Sequence, residues 1–88
     1  MFYYFSQLFK IIIMKKDKKD LIVVGEAIRL ERFRRKLTQD KLAEMAGIAQ
    51  PQHISKIEHA EVDMKITTLF SILRALDLKL EDLIDLNK

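Results

Sequence analysis

Apolar residues recur every three to four positions from Leu21 onward, and this spacing predicts a domain built of helices. The longest such stretch has apolar residues at i, i+3, i+4 and i+7, namely Leu69, Ile72, Leu73 and Leu76. No segment of this region alternates with a period of two for long enough to build a sheet. We therefore predict an all-α fold of five helices over residues 21–88.

The first two predicted helices have recognisable ends. Asp20 can cap the first helix, which we expect to reach about residue 36. Thr38 caps the second, and Gly47 ends it in a left-handed conformation. Two stripes run along the first helix: Ile28, Arg32 and Arg35 form one, and Leu30, Phe33 and Leu37 form the other. The apolar positions of the second are Leu42, Met45 and Ala46.

The remaining three helices follow from similar signals. The third covers about residues 50–58, where Pro51 is tolerated in the first turn. Either Thr67 or Thr68 starts the fourth helix, and the fifth covers about residues 80–86.

Residues 1–20 differ in composition from this domain, so we predict a separate N-terminal extension. Residues 1–14, "MFYYFSQLFKIIIM", are aromatic and β-branched, and "KKDKKD" follows them. The apolar stretch is shorter than the ~20 residues of a membrane span, and it lacks the features of a signal peptide. Three interpretations stay open: upstream sequence translated ahead of a natural start at Met14, a strand that pairs in a dimer through "KIII", or an interfacial membrane anchor. The third is the least favoured.

Charge is unevenly distributed along the chain. Residues 1–36 hold ten Lys/Arg and four Asp/Glu, a balance of +6, whereas residues 37–88 hold six and nine, a balance of −3. A basic segment beside a small domain is typical of proteins that bind polyanions, although it is equally expected of a solvated surface. The chain has no cysteine, which excludes disulfides and fits a cytoplasmic protein.

The second and third predicted helices form a helix-turn-helix pattern. Ala43 is small where a crossing helix must approach, Gly47 allows the turn, and Ile54 and Ile57 point back into the core. Here the chain resembles the Cro/Xre (lambda-repressor-like) family, through "LTQDKLAEMAGI" and "HISKIE" with flanking support from "GEAIRLERFRRK" and "ITTLFSILRALDLKLEDLI". The resemblance covers roughly residues 24–86.

The resemblance implies that the third helix lies in the major groove of double-stranded DNA. The candidate DNA-binding residues are Thr38, Gln39, Gln50, Gln52, His53, Ser55 and Lys56. Glutamine can pair with adenine and histidine with guanine, whereas Lys56 is better placed for a phosphate. Thr38 and Gln39 would face the phosphate backbone from the start of the second helix. Each residue taken alone could equally be a solvated polar side chain, but the cluster favours contact.

The structural residues implied by the resemblance are Arg32, Ala43, Gly47, Ile54 and Glu58. Arg32 and Glu58 match a pair that the family buries as a salt bridge. Three positions depart from the family pattern: Glu31 replaces an apolar or small residue, His59-Ala60 replaces a glycine after the third helix, and Asp77 stands where a glycine often ends the fourth.

The helix-turn-helix also contains one extra residue. Counted from Gln39, Ala43 and Gly47 are in the family's positions, but Ile54 and Glu58 each come one place late. The extra residue is Gln50 or Gln52. An insertion inside a helix would rotate everything beyond it by about 100°. We therefore expect residues 48–51 to absorb it, through a longer turn or a later start of the third helix.

The function expected from the resemblance is a dimeric DNA-binding transcriptional repressor that acts on a palindromic operator. The alternative is an antitoxin that binds a toxin and represses its own operon, because "MKITTLFSILRALDLKL" resembles the corresponding helix of HipB-like antitoxins. We predict no enzyme, cofactor or metal: the chain lacks a Gly-rich phosphate loop, and His53 and His59 lie on different faces of a helix. A membrane partner is not expected.

Overall fold

A computed structural model describes residues 18–83, and this part of the chain is helical without any strand. The helices are α1 (Lys18–Arg34), α2 (Gln39–Ala46), α3 (Pro51–Glu58), α4 (Ile66–Ala75) and α5 (Leu80–Leu83). The predicted all-α, five-helix fold is confirmed. Among the described residues no helix combines the length and the apolar character that crossing a bilayer requires. The interpretations of residues 1–17 and the predicted end of the fifth helix lie outside the described residues.

One apolar core joins all five helices. Helix α3 packs against both α1 and α2, while α2 also packs against α4 and α1 contacts α5. The core residues are Val24, Ile28, Leu42, Ala43, Ile54, Ile57, Met64, Leu69, Ile72, Leu73, Leu76 and Leu83. Helix α3 is therefore held on two sides, and only its remaining face is open to solvent.

The ends of α2 are capped as the sequence predicts. The Thr38 hydroxyl accepts a hydrogen bond from the Lys41 amide at 3.0 Å. Gly47 ends the helix with φ of 72°, in the left-handed region. Its Cβ-free backbone adopts this conformation without the steric cost that other residues meet there.

Three further helices end in the same way, but on residues that are not glycine. Lys36, Ala60 and Asp77 have φ of 54°, 57° and 56°. After each of these residues, and after Gly47, the next amide donates to the carbonyl five residues earlier, as in Leu37 to Arg32 at 3.1 Å and Ile48 to Ala43 at 2.8 Å. This is the hydrogen-bond pattern of a Schellman motif. Ala60 and Asp77 thus keep the backbone geometry of the glycines that they replace.

The predicted start and faces of α1 need correction. Asp20 does not cap this helix, because Lys18 and Lys19 are already helical; its carboxylate lies in the first turn. Neither stripe is buried as a whole: Leu30, Phe33 and Arg35 are exposed, whereas Ile28 and Arg32 are buried and Leu37 packs partly buried against the core. The face that packs on the core consists of Leu21, Val24, Gly25, Ile28 and Arg32.

Smaller corrections concern α1, α2 and α4. Helix α1 ends at Arg34 and not near residue 36, and α4 starts at Ile66, one residue before Thr67. Met45 is exposed although it falls at core spacing on α2. The buried face of α2 is formed by Leu42 and Ala43, and at about 100° per residue Met45 lies beyond the edge of that face.

Gly25 decides which face of α1 turns inward. A Cβ at this position would lie 2.4 Å from the Ile57 carbonyl oxygen and 2.9 Å from that of Glu58. Both atoms belong to the backbone of α3, which cannot move aside as a flexible side chain can. The contact with α3 therefore requires glycine for steric reasons.

We predict that Gly25→Ala destabilises the domain by about 2–3 kcal/mol, as overpacking against a rigid backbone does. At an open helical site the same change would stabilise by up to about 1 kcal/mol. Gly47→Ala is the matched control: nothing lies within 4 Å of its added Cβ, so only the positive φ opposes it, at a cost of about 1 kcal/mol. Urea denaturation of the three proteins measures both effects. A Gly25→Ala protein as stable as the unaltered chain would contradict the close approach.

Candidate nucleic-acid interface

Helix α3 is anchored by one face that contains two apolar residues and one acid. Ile54 and Ile57 are almost completely buried, and Glu58 is 7% exposed. Since successive residues of an α-helix are about 100° apart, these three residues occupy one side of the helix. The rotation of α3 about its own axis is therefore set from the C-terminal half of the helix.

The opposite face of α3 carries the polar residues. Gln52 and Lys56 are exposed and lie one helical turn apart. His53 and Ser55 are half-buried at the two sides of this face. Gln50 is exposed at the N-cap position, and its side chain makes no capping hydrogen bond. Of the candidate residues on α3, Gln52 and Lys56 therefore project furthest from the domain.

Arg32 and Glu58, which the resemblance pairs, connect the end of α1 to the end of α3. Arg32 Nε donates to Glu58 Oε2 at 2.7 Å, and Nη2 donates to Oε1 at 3.0 Å. The guanidinium also donates from Nη1 to the Leu37 carbonyl at 2.8 Å. The bidentate contact between Arg32 and Glu58 fixes both the distance and the orientation of α1 and α3.

Gln39 adds the second helix of the motif to this network. Its side-chain amide donates from Nε2 to Glu58 Oε1 at 3.2 Å, so one carboxylate holds the end of α3 to the start of α2. Phe33 covers the guanidinium of Arg32 from outside, with 4.7 Å between the guanidinium carbon and the ring centroid. No buried polar side-chain atom in the described residues lacks a hydrogen-bond partner.

The sequence was compared with models of known protein families. The helix-turn-helix family model matches residues 27–83, which is well over half of the chain. The chain belongs to the helix-turn-helix family of the Cro/C1 type. This family is a DNA-binding regulatory one and not a family of enzymes. Comparisons with curated proteins and with solved structures give no significant match.

The extra residue expected from the family pattern, Gln50 or Gln52, does not interrupt α3. Residues 47–50 separate α2 from α3, and α3 is continuous from Pro51 to Glu58. The first turn closes through the His53 amide, which donates to the Gln50 carbonyl at 3.0 Å. Ile54, Ile57 and Glu58 are all buried, as expected if the extra length lies ahead of Ile54.

Two positions that depart from the family pattern have local partners. The carboxylate of Glu31, near the end of α1, accepts hydrogen bonds from Arg34 at 3.1 Å and from Arg35 at 2.8 Å. His59 lies at the C-cap of α3, where its Nδ1 is 2.7 Å from the Ser55 carbonyl oxygen. A carbonyl can only accept, so Nδ1 carries the proton and Nε2 is left to face solvent.

His59 also belongs to the exposed face of α3, which the sequence analysis did not recognise. It follows Lys56 by three residues and Gln52 by seven, a spacing that returns to the same side of a helix. That spacing was available in the sequence.

We predict that Glu58→Gln destabilises the domain by about 3 kcal/mol, because it leaves the buried guanidinium of Arg32 without a counter-charge. Glu44→Gln is the matched control: Glu44 pairs with Lys41 at the surface, where both side chains are more than half exposed, and its loss should cost less than about 1 kcal/mol. Thermal and urea denaturation compare the two variants. Equal losses of stability in the two variants would show that burial does not increase the contribution of the Arg32–Glu58 pair.

Proposed function

We propose that this protein is a transcriptional repressor that binds a palindromic DNA operator as a homodimer and reads base edges with α3. The observation that carries the proposal is the distribution of charge on α3. Its only carboxylate, Glu58, is turned inward and neutralised by Arg32, so the exposed face presents amide, imidazole, hydroxyl and ammonium groups. Such a face suits a surface rich in acceptors and phosphates, as the DNA major groove is.

The proposed roles follow from how far each side chain projects. Gln52 stands in the first turn at the centre of the exposed face, so we assign it the main base contact, with adenine N6 and N7 as its partners. His53 and Gln50 reach neighbouring base edges from either side of it. Lys56 and Ser55 lie further along α3, and we assign them to phosphates or to the rim of the groove.

The start of α2 would hold the domain against the DNA backbone. Free amides at a helix N-terminus attract phosphate, and Thr38 and Gln39 stand at this position. The Gln39 side chain is already bonded to Glu58. We therefore propose that Gln39 aligns α3 with α2 and that its backbone amide meets the phosphate.

A dimer is the arrangement that gives this short reading helix enough specificity. One α3 contacts only a few base pairs, and two copies related by a two-fold axis read two half-sites about 34–36 Å apart. We propose that occupation of such a site in the cytoplasm blocks transcription.

The second candidate function is an antitoxin that also represses its own operon. It is favoured by Phe70, a large apolar side chain that is 39% exposed on α4, within the segment that resembles HipB-like antitoxins. Co-expression with the adjacent reading frame should then yield a stoichiometric complex that Phe70→Asp weakens. If the adjacent product neither binds this protein nor is toxic, the antitoxin assignment is wrong.

We predict that Gln52→Ala relaxes base preference at one position in each half-site, with a loss of about 1–3 kcal/mol of discrimination. Thermal stability should hardly change, because the side chain is exposed. Binding to a randomised duplex library, followed by sequencing, gives the preference of each protein.

The matched control is Lys56→Ala, one turn further along the same face. It should weaken binding to all sequences about equally and reduce the slope of log K against log salt by about 1, as the loss of one phosphate contact does. An altered base preference in Lys56→Ala together with an unaltered one in Gln52→Ala would reverse the two assignments.

We also predict that log K for the unaltered protein falls by about 0.9 for each phosphate neutralised as log salt rises. Fluorescence anisotropy with a labelled operator between low and physiological salt provides the slope. Affinity that is independent of salt would contradict phosphate contact by this domain.

A further inference from the structure

The outer face of α1 is unusually apolar for a helix on the surface of a small domain. Ile22, Val23, Leu30 and Phe33 are 47%, 57%, 53% and 52% exposed, although the opposite face of the same helix already packs on the core. A helix that is apolar on both sides is normally covered on both sides. We therefore expect the outer face of α1 to contact a partner.

The spacing along this face is that of a helix–helix seam. Ile22, Glu26, Arg29 and Phe33 fall at i, i+4, i+7 and i+11, and all but Phe33 also line a shallow groove whose other wall is residues 58–60. Alternation of four and three residues keeps side chains on one line when two helices pack together. Val23 and Leu30 lie seven residues apart beside this line and widen the apolar strip on the side away from the core.

The seam has an apolar residue at each end and one acidic and one basic residue between them. Reversing its direction therefore exchanges only the acidic and the basic position. The seam runs apolar, acidic, basic, apolar. When a second α1 is laid antiparallel, Ile22 meets Phe33 of the second copy, and Glu26 meets Arg29. A parallel pair would instead oppose Glu26 to Glu26 and Arg29 to Arg29, which is unfavourable.

We infer that the outer face of α1 is the homodimer interface of this protein, formed by two antiparallel copies of α1. The inference rests on the dimer of the proposed function and identifies the surface that forms it. The dimer contains two Ile22–Phe33 contacts and two Glu26–Arg29 ion pairs in total, because a two-fold axis repeats each contact once.

The length of the seam limits the affinity of the two copies for each other. From Ile22 to Phe33 it is about 16 Å long at 1.5 Å per residue. A seam of this length buries less surface area than the interfaces of stable complexes do. We therefore expect the free protein to associate weakly and in a concentration-dependent way. Two half-sites on one operator raise the effective concentration and favour the pair.

Charge exchange between two variants of the full-length protein tests this interface in the absence of DNA. Glu26→Arg places arginine against Arg29 of the second copy, and Arg29→Glu places glutamate against Glu26. Each variant alone should associate at least about tenfold more weakly than the unaltered protein, because both inter-helix pairs become repulsive. Mixed in equal amounts, the two should form a heterodimer in which both pairs are again attractive.

Sedimentation equilibrium over a range of concentrations, with one variant fluorescently labelled, measures each association. Both substitutions are at exposed positions, and circular dichroism checks that each variant is folded. Glu44→Lys on α2 is the matched control: it inverts the charge of an exposed residue in an i, i+3 pair with Lys41, away from the seam, and should leave association unchanged.

Each outcome decides the inference. Weak association of the single variants together with recovery in the mixture supports the α1 interface. A dimer that both substitutions leave intact, or a mixture that does not recover, overturns this interface while leaving the proposed dimer in place. A chain that stays monomeric at every concentration overturns the α1 interface, and the number of chains bound to one operator, measured separately, then decides whether the proposed dimer forms on DNA.

Discussion

The buried contact between Arg32 and Glu58 is the constraint on which the arrangement of the helices depends. A charge removed from water must keep its partner, so the ends of α1 and α3 cannot separate or rotate independently. Because Arg32 also bonds the Leu37 carbonyl and Gln39 also bonds Glu58, the same two charges set where α2 begins. With Glu58 held inward, Gln52 and Lys56 necessarily face outward. The orientation of the proposed reading surface is thus a consequence of one ion pair.

The local features of the fold could be predicted because neighbouring residues determine them. Thr38 caps α2 through an amide three residues away, and Gly47 ends it through bonds within the same turn. The helix-turn-helix itself depends on the spacing of a small residue, a glycine and two apolar residues over fewer than twenty positions. Such short-range signals are present in the sequence whatever the rest of the chain does.

The inward face of α1 could not be predicted in the same way. Apolar residues occur on more than one side of this helix, and hydrophobic periodicity alone does not show which side turns inward. The choice is made by long-range contacts: Gly25 against the carbonyls of Ile57 and Glu58, and Arg32 against Glu58. Leu30 and Phe33 are therefore left outside although they are as apolar as the residues that are buried. The polar face of α3 was easier to predict. This helix has only one apolar face, so its polar residues must lie on the opposite side.

These constraints would also let the motif accommodate the extra residue that the family pattern leads us to expect. Helix α2 is completed at Gly47 by its own backbone bonds, and α3 is anchored at Ile54, Ile57 and Glu58 by contacts with α1 and α2. Neither anchor involves the side chains of Gln50 or Gln52, so the segment between them can change in length while both helices keep their places. That segment includes the first turn of α3, where base contacts are proposed. A change in its length therefore alters which side chains are presented to DNA at little cost to the core, and in this architecture specificity can change by insertion as well as by substitution.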